Sequence, residues 1–111
     1  MKNAEAVTKD FCNALTSLIT ASTGRDYAIV AFKSIIERLR ADYPLANNIT
    51  VSRTGVQVNS AINNAHTHEI ASFFSHVIQI VGPDILRLTL REKLDKEDIA
   101  YLNSIGVKFS A

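Results

Sequence analysis

The sequence predicts an α+β domain of two layers, in which a helical pair plus a further helix packs on a small, mostly antiparallel sheet in the order ααββαβαβ. Three observations lead there. Apolar residues recur with a period near 3.6 over residues 4–23, 27–42 and 67–81. Residues 49–60 switch to strict alternation, the period of a strand with one buried face. Helices and strands are partly segregated along the chain, the pattern of an α+β rather than an alternating α/β arrangement.

The first helix spans Ala4 to Thr23. Val7, Phe11, Ala14, Leu15, Leu18 and Ser22 share one face, and Cys12 and Ile19 widen it. Gly24 is a natural stop, and Asp26 offers an oxygen to cap the next helix. That helix, Tyr27 to Asp42, carries Ile29, Phe32, Ile36, Leu39 and Tyr43 as its stripe, with Val30 and Ile35 broadening it. Pro44 disfavours helical geometry at Tyr43 and ends it. The short Gly-containing link suggests an antiparallel pair.

Residues 49–60 read as a hairpin. With Thr54-Gly55 as the loop, Val51 faces Val58 and Ile49 faces Ser60. Ile49, Val51, Val56 and Val58 then share the apolar face, and Thr50, Ser52, Gln57 and Asn59 the wet one. Thr54 is a poor residue for a tight primed turn, so a longer loop of the same register is the other solution.

A third helix starts between Asn64 and Thr67 and runs to Val81. It buries Ile70, Phe73, Phe74, Val77 and Val81 with Ile80 alongside, and Gly82-Pro83 stops it. In 85–94, Leu86, Leu88 and Leu90 alternate with Arg87, Thr89 and Arg91, which favours a strand; Leu86, Leu90 and Leu94 are also spaced for a helix. Asp95 caps a short helix over 96–105, with Asp98 in its first turn and Gly106 at its end. Residues 107–109 alternate as a last strand.

Composition narrows the class. The 111 residues, 47% hydrophobic and 21% charged, fit one domain over 1–111. Such a chain buries roughly 65% of its unfolded surface, enough for a core without staples. A net charge of +1 argues against disorder, and 4 Gly and 2 Pro exclude a collagen-like or linker sequence. A single cysteine, Cys12, excludes a disulfide scaffold. No apolar run approaches the roughly 20 residues that cross a bilayer. Glu5 and Asp10 break the basic region of a would-be signal sequence, and Asn13, Thr16 and Ser17 its apolar stretch. Residues 11–21 therefore read as amphipathic helix, and a soluble cytoplasmic protein is expected.

Candidate chemistry is sparse. His66, Thr67, His68 and Glu69 form the densest polar cluster, and His68, Ser72 and His76 make a row at i, i+4, i+8. Imidazoles and a carboxylate are competent zinc ligands, but a helical pair needs a separation of three or four, which only His66–Glu69 has. The solvated face of a helix is the simpler account. Cys12, on an apolar face, behaves as a small hydrophobe. The segments 22–25 and 54–55 lack the glycine spacing of a phosphate cradle. The first ends near a helix start, where an anion could bind, but a plain helix-to-helix turn is the simpler account.

Twelve Lys and Arg against eleven Asp and Glu give no basic surplus for phosphate binding. Arg38, Arg40, Arg53, Arg87, Arg91 and Lys93 would converge only if residues 85–94 lay beside the hairpin, and that face offers no aromatic for base stacking. Nucleic acid is not an expected partner, and no cofactor is expected.

Two functions remain. One is a small non-catalytic interaction or regulatory domain that self-associates as a homodimer, or meets a protein partner, through Phe11, Leu15, Leu18 and Ile19 or an edge strand. The other is a small-ligand- or metal-binding domain, enzymatic if catalytic at all, that uses His66, His68, Glu69 and His76 around the third helix.

Overall fold

Helix α1 runs through the middle of the molecule. The computed structural model describes residues 2–81 and 90–107. In it α1 (Ala4–Thr23) touches α2 (Arg25–Leu39), the hairpin of β1 (Ile49–Ser52) and β2 (Gly55–Val58), and the last helix, α4 (Lys96–Ser104). α3 (Thr67–Val81) closes the core against α1 and α2, and short 3-10 turns at Pro44–Asn48 and Ser60–Asn64 flank the hairpin. The fold is a small α+β arrangement, helical for the most part, with one two-stranded antiparallel sheet among the described residues.

The expected stripe of α1 is the buried one: Val7, Phe11, Cys12, Ala14 and Leu15 are inside. Asn3 caps the helix, its side chain accepting from the Ala6 N–H at 2.9 Å. Phe11 meets Phe74 of α3, and Phe73 meets both Phe74 and Tyr43, so aromatic rings fill the space between the helices.

Gly24 alone joins α1 to α2, serving as C-cap of one and N-cap of the other. Its φ of +90° lets the chain leave one helix and enter the next within a residue. This corrects the start and end expected for α2. Because Arg25 is already helical, Asp26 lies in the first turn and gives no capping hydrogen bond. The helix ends at Leu39 rather than Asp42, and Tyr43 turns extended ahead of Pro44.

The hairpin shows the expected faces with a different pairing. Ile49, Val51 and Val56 are buried and Val58 is half-buried against the core, while Thr50 and Gln57 are exposed. The pairs, however, are Ile49–Val58 and Val51–Val56, so the two-residue loop is Arg53-Thr54 and not Thr54-Gly55. The reason is backbone chemistry. No non-glycine residue described has positive φ, and Gly55 takes +123° as the first residue of β2. The single positive-φ position thus sits after the loop, where glycine is, and not within it, where Thr54 would be strained. A shift of two residues preserves the alternation, so each side chain keeps its face.

Residues 90–93 are helical, where alternation favoured strand. Leu90 and Leu94, four apart, are both buried, and that burial outweighs the two-residue alternation. Residues 85–89 of the expected strand, and 108–109 of the last one, lie outside the described residues. α4 starts on the Asp95 cap as expected. It ends in a Schellman motif: the Val107 N–H donates to the Leu102 carbonyl and the Gly106 N–H to the Asn103 carbonyl, and Leu102 and Val107 are both fully buried.

Candidate binding groove along the central helix

The side of α1 turned away from the core lines a polar groove. Asp10, Asn13, Ser17 and Thr20 follow one another at i, i+3, i+7 and i+10, one face of a helix. Two cavities open on this row and share Asn13 and Ser17. The first, about 360 Å³, lies between α1 and the hairpin turn, with Thr16, Thr20, Arg25, Ser52 and Thr54 in its walls. The second, about 450 Å³, lies towards the chain start and the beginning of α4, with Lys2, Asp10, Lys93, Asp95 and Asp98 around it.

The hydroxyl end has a defined polarity. Thr16 Oγ1 donates to the Cys12 carbonyl at 2.8 Å and Thr20 Oγ1 to the Thr16 carbonyl at 2.7 Å. With their protons turned into the helix, both oxygens remain as acceptors. Arg25 Nη2 donates to the Arg53 carbonyl at 2.8 Å, which ties the start of α2 to the hairpin loop. One donor of the guanidinium fork is used there, and the group stays at the cavity wall.

At the other end, Lys2 Nζ lies 2.6 Å from Asp10 Oδ2 and 3.4 Å from Asp98 Oδ1, and it also binds Asp95 Oδ2. Asp95 and Asp98 form a reciprocal capping box at the start of α4. The Asp98 N–H donates to Asp95 Oδ1 at 2.8 Å, and the Asp95 N–H to Asp98 Oδ2 at 3.3 Å. Burial, and then the neighbouring Asp10 carboxylate, push Asp98 up to about 6. Lys2 and the Asp98 N–H hold Asp95 below the usual carboxylate range, and the hydrogen bonds to Asp10 and Asp95 raise Lys2. Among the described residues, Asp10, Asp95 and Asp98 are the set whose ligand atoms come within reach of a single metal ion, all within 4.8 Å of one another.

The residues singled out from sequence lie elsewhere. His66 and His68 are exposed and stack on each other with ring centroids 5.9 Å apart. His76 is half-buried beside Tyr43, whose hydroxyl is 3.4 Å from His76 Nδ1 and 2.9 Å from Ser72 Oγ. Glu69 is half-buried and makes no hydrogen bond to His76 among the described residues. Phe11 and Leu15 are enclosed in the core, each 1% exposed, while Leu18 and Ile19 are half-buried. Cys12 is buried and free, and burial raises its thiol. The basic surface that needed residues 85–94 beside the hairpin is not formed by the described residues, because 90–93 are helical and the sheet has two strands.

Sequence reasoning reached Asp95 and Asp98 only as helix-start residues and Arg25 only as the end of the segment 22–25, and it gave Lys2 and Asp10 no site role. One signal for the cluster was legible. Asp98 stands four residues before Leu102 and seven before Ile105, so it lies on the apolar stripe of α4, where a carboxylate needs partners. No helix among the described residues is long and apolar enough to cross a membrane. Compared with protein families, with curated proteins and with solved structures, the chain matches none of them.

Proposed function

We infer that the chain is a small non-catalytic interaction domain that holds an extended polar peptide segment of a partner protein along α1, with an acidic group of that segment at Arg25. The observation that carries this reading is the row Asp10, Asn13, Ser17 and Thr20, which lines two adjoining cavities on a single helix face. From Asp10 to Thr20 a helix rises about 15 Å. That matches four or five residues of extended chain at about 3.3 Å each. The wall offers amide, hydroxyl and guanidinium groups at intervals, which suits the alternating donors and acceptors of a peptide backbone.

Ser17 lies where the two cavities join, so a bulky side chain there divides the groove. Fluorescence polarisation against a library of labelled pentapeptides is expected to yield acidic binders. Ser17→Trp is expected to abolish their binding without changing the melting temperature, and Arg25→Gln to weaken acidic peptides selectively. Binders that ignore both substitutions, or a library with none, would reject the reading.

Self-association is a second reading, and Tyr27 and Val30 favour it. They are 62% and 67% exposed, large and apolar, and one turn apart on the outer face of α2. This moves the proposed contact from α1, where Phe11 and Leu15 are enclosed, to α2. Sedimentation equilibrium is expected to show a dimer that Val30→Glu dissociates; a wild-type monomer at high micromolar concentration removes this reading.

A further inference from the structure

We propose that Asp10 Oδ2, Asp95 Oδ2 and Asp98 Oδ1 form a divalent-cation site of the calcium type, which the ammonium of Lys2 occupies in the absence of the metal. The capping box divides the carboxylates in a particular way. Asp95 Oδ1 and Asp98 Oδ2 accept the backbone N–H groups at the start of α4. The other oxygen of each turns to Lys2 Nζ, where Asp10 Oδ2 joins them from α1. Three carboxylate oxygens from two helices thus surround one positive charge.

A second observation shows that the ammonium does not complete the site. Asp98 is 2% exposed, and its Oδ1, aimed at this cluster, accepts no hydrogen bond among the described residues. Lys2 Nζ is 3.4 Å from that oxygen and 3.5 Å from Asp98 Oδ2, while its shorter bonds go to Asp10 and Asp95. A buried carboxylate oxygen without a donor has given up its hydration and gained no hydrogen bond in return.

An ammonium has three directional protons, whereas Ca²⁺ takes six to eight oxygens at about 2.3–2.6 Å without directional demand. Oxygens on opposite sides of such an ion are about 5 Å apart, and one carboxylate oxygen from each of Asp10, Asp95 and Asp98 lies within 4.8 Å of the others. The adjoining 450 Å³ cavity has room for the waters that would complete the shell. The charge count agrees. Three carboxylates face Lys2, with Lys93 on the cavity wall, where its Nζ lies 3.5 Å from Ser17 Oγ. When Lys2 swings to solvent, a dication takes its place. Lys2 is well suited to leave, since it precedes α1 and its cap Asn3. This site does not depend on what fills the groove near Arg25.

The test is calorimetric titration of the chelator-treated full chain with CaCl₂. Wild type is expected to bind one ion weakly, with a dissociation constant on the order of 10⁻⁴–10⁻³ M. Lys2→Met, which removes the competing ammonium, is expected to bind at least tenfold more tightly. Asp98→Asn keeps an acceptor for the Asp95 N–H and is expected to lose binding. Mn²⁺ added to ¹⁵N-labelled Lys2→Met is expected to broaden amide signals around Asp10 and Asp98 before any others. If Lys2→Met shows no heat with Ca²⁺ at millimolar concentration, if it binds no better than wild type, or if the broadening centres elsewhere, the cluster is a plain salt-bridge network and the proposal fails. Lys2 and Ser17 both line the second cavity, so the two readings are separated by ligand: the cation site fails on the Ca²⁺ titration of Lys2→Met, and the groove fails on the acidic pentapeptides in chelator-containing buffer.

Discussion

Phe11 of α1 and Phe74 of α3 meet with ring centroids 4.5 Å apart and planes inclined at 50°. Both are fully enclosed, at 1% and 0% exposure. The centroid distance lies at the close end of the range over which aromatic pairs attract. The contact joins the central helix to a helix more than sixty residues later, so it holds the fold together over a long stretch of chain. Phe74→Ala removes a ring from a packed interior that cannot fully collapse, and is expected to cost about 3–5 kcal/mol. Urea denaturation followed by circular dichroism checks it, and a loss under 1 kcal/mol would mean that α3 packs differently.

Asp98 makes stability fall as pH rises. Its carboxyl stands near 6 in the folded chain against 3.8 ordinarily, so between those values the folded state binds more protons than the unfolded one. The contribution is fully present below about 3.8 and is lost as pH climbs through about 6. Asp95, held low, works in the opposite sense and loses its contribution as pH drops. Comparing Asp98→Asn with wild type in chelator-containing buffer isolates the first effect. The difference in melting temperature, variant minus wild type, is expected to grow more positive from pH 4 to pH 7.5. A difference that is flat or declines over that range contradicts the assignment.

Gly24 carries the whole connection between α1 and α2. A Cβ there would meet nothing within 4 Å, so any penalty for Gly24→Ala comes from the backbone at φ +90°. A non-glycine residue held in such a region costs of order 1–3 kcal/mol. The expected outcome is a lower denaturation midpoint with an unchanged urea dependence. An unchanged midpoint would show that the link tolerates another conformation.

The helices were the most legible part of the chain. The stripes of α1 and α3 exceed three turns, and over that length a 3.6-residue period has few competitors. Capping chemistry marked the start and end of α4, because Asp95 and Gly106 act through their own backbone and nearest neighbours. The hairpin was legible in its faces and not in its pairing. Alternation assigns Val51 and Val58 to one side under either register, whereas the pairing depends on whether Gly55 falls inside the loop or just after it. Residues 90–93 were misread because the short window carries both patterns, alternation and the helical spacing of Leu90 and Leu94, and only the burial of those two residues in the core chooses between them. The 3-10 turns at Pro44–Asn48 and Ser60–Asn64 carry no periodic signal of their own.

The candidate groove was almost wholly illegible. Lys2, Asp10, Asp95 and Asp98 span 96 positions, and Arg25 meets the hairpin across 28. No local spacing relates residues so far apart, while the histidines, all within 66–76, drew attention through density alone. Taken alone, the amino-acid order determined which faces of α1, α3 and the hairpin are apolar and where α1 and α4 begin and end, because those depend on periodicity and on hydrogen bonds within a turn. The tertiary structure decided that Asp98 is buried beside Lys2 and that the polar side of α1 lines a groove. Those facts follow from which elements pack against α1, a choice made by the burial of the whole core and not by any one segment.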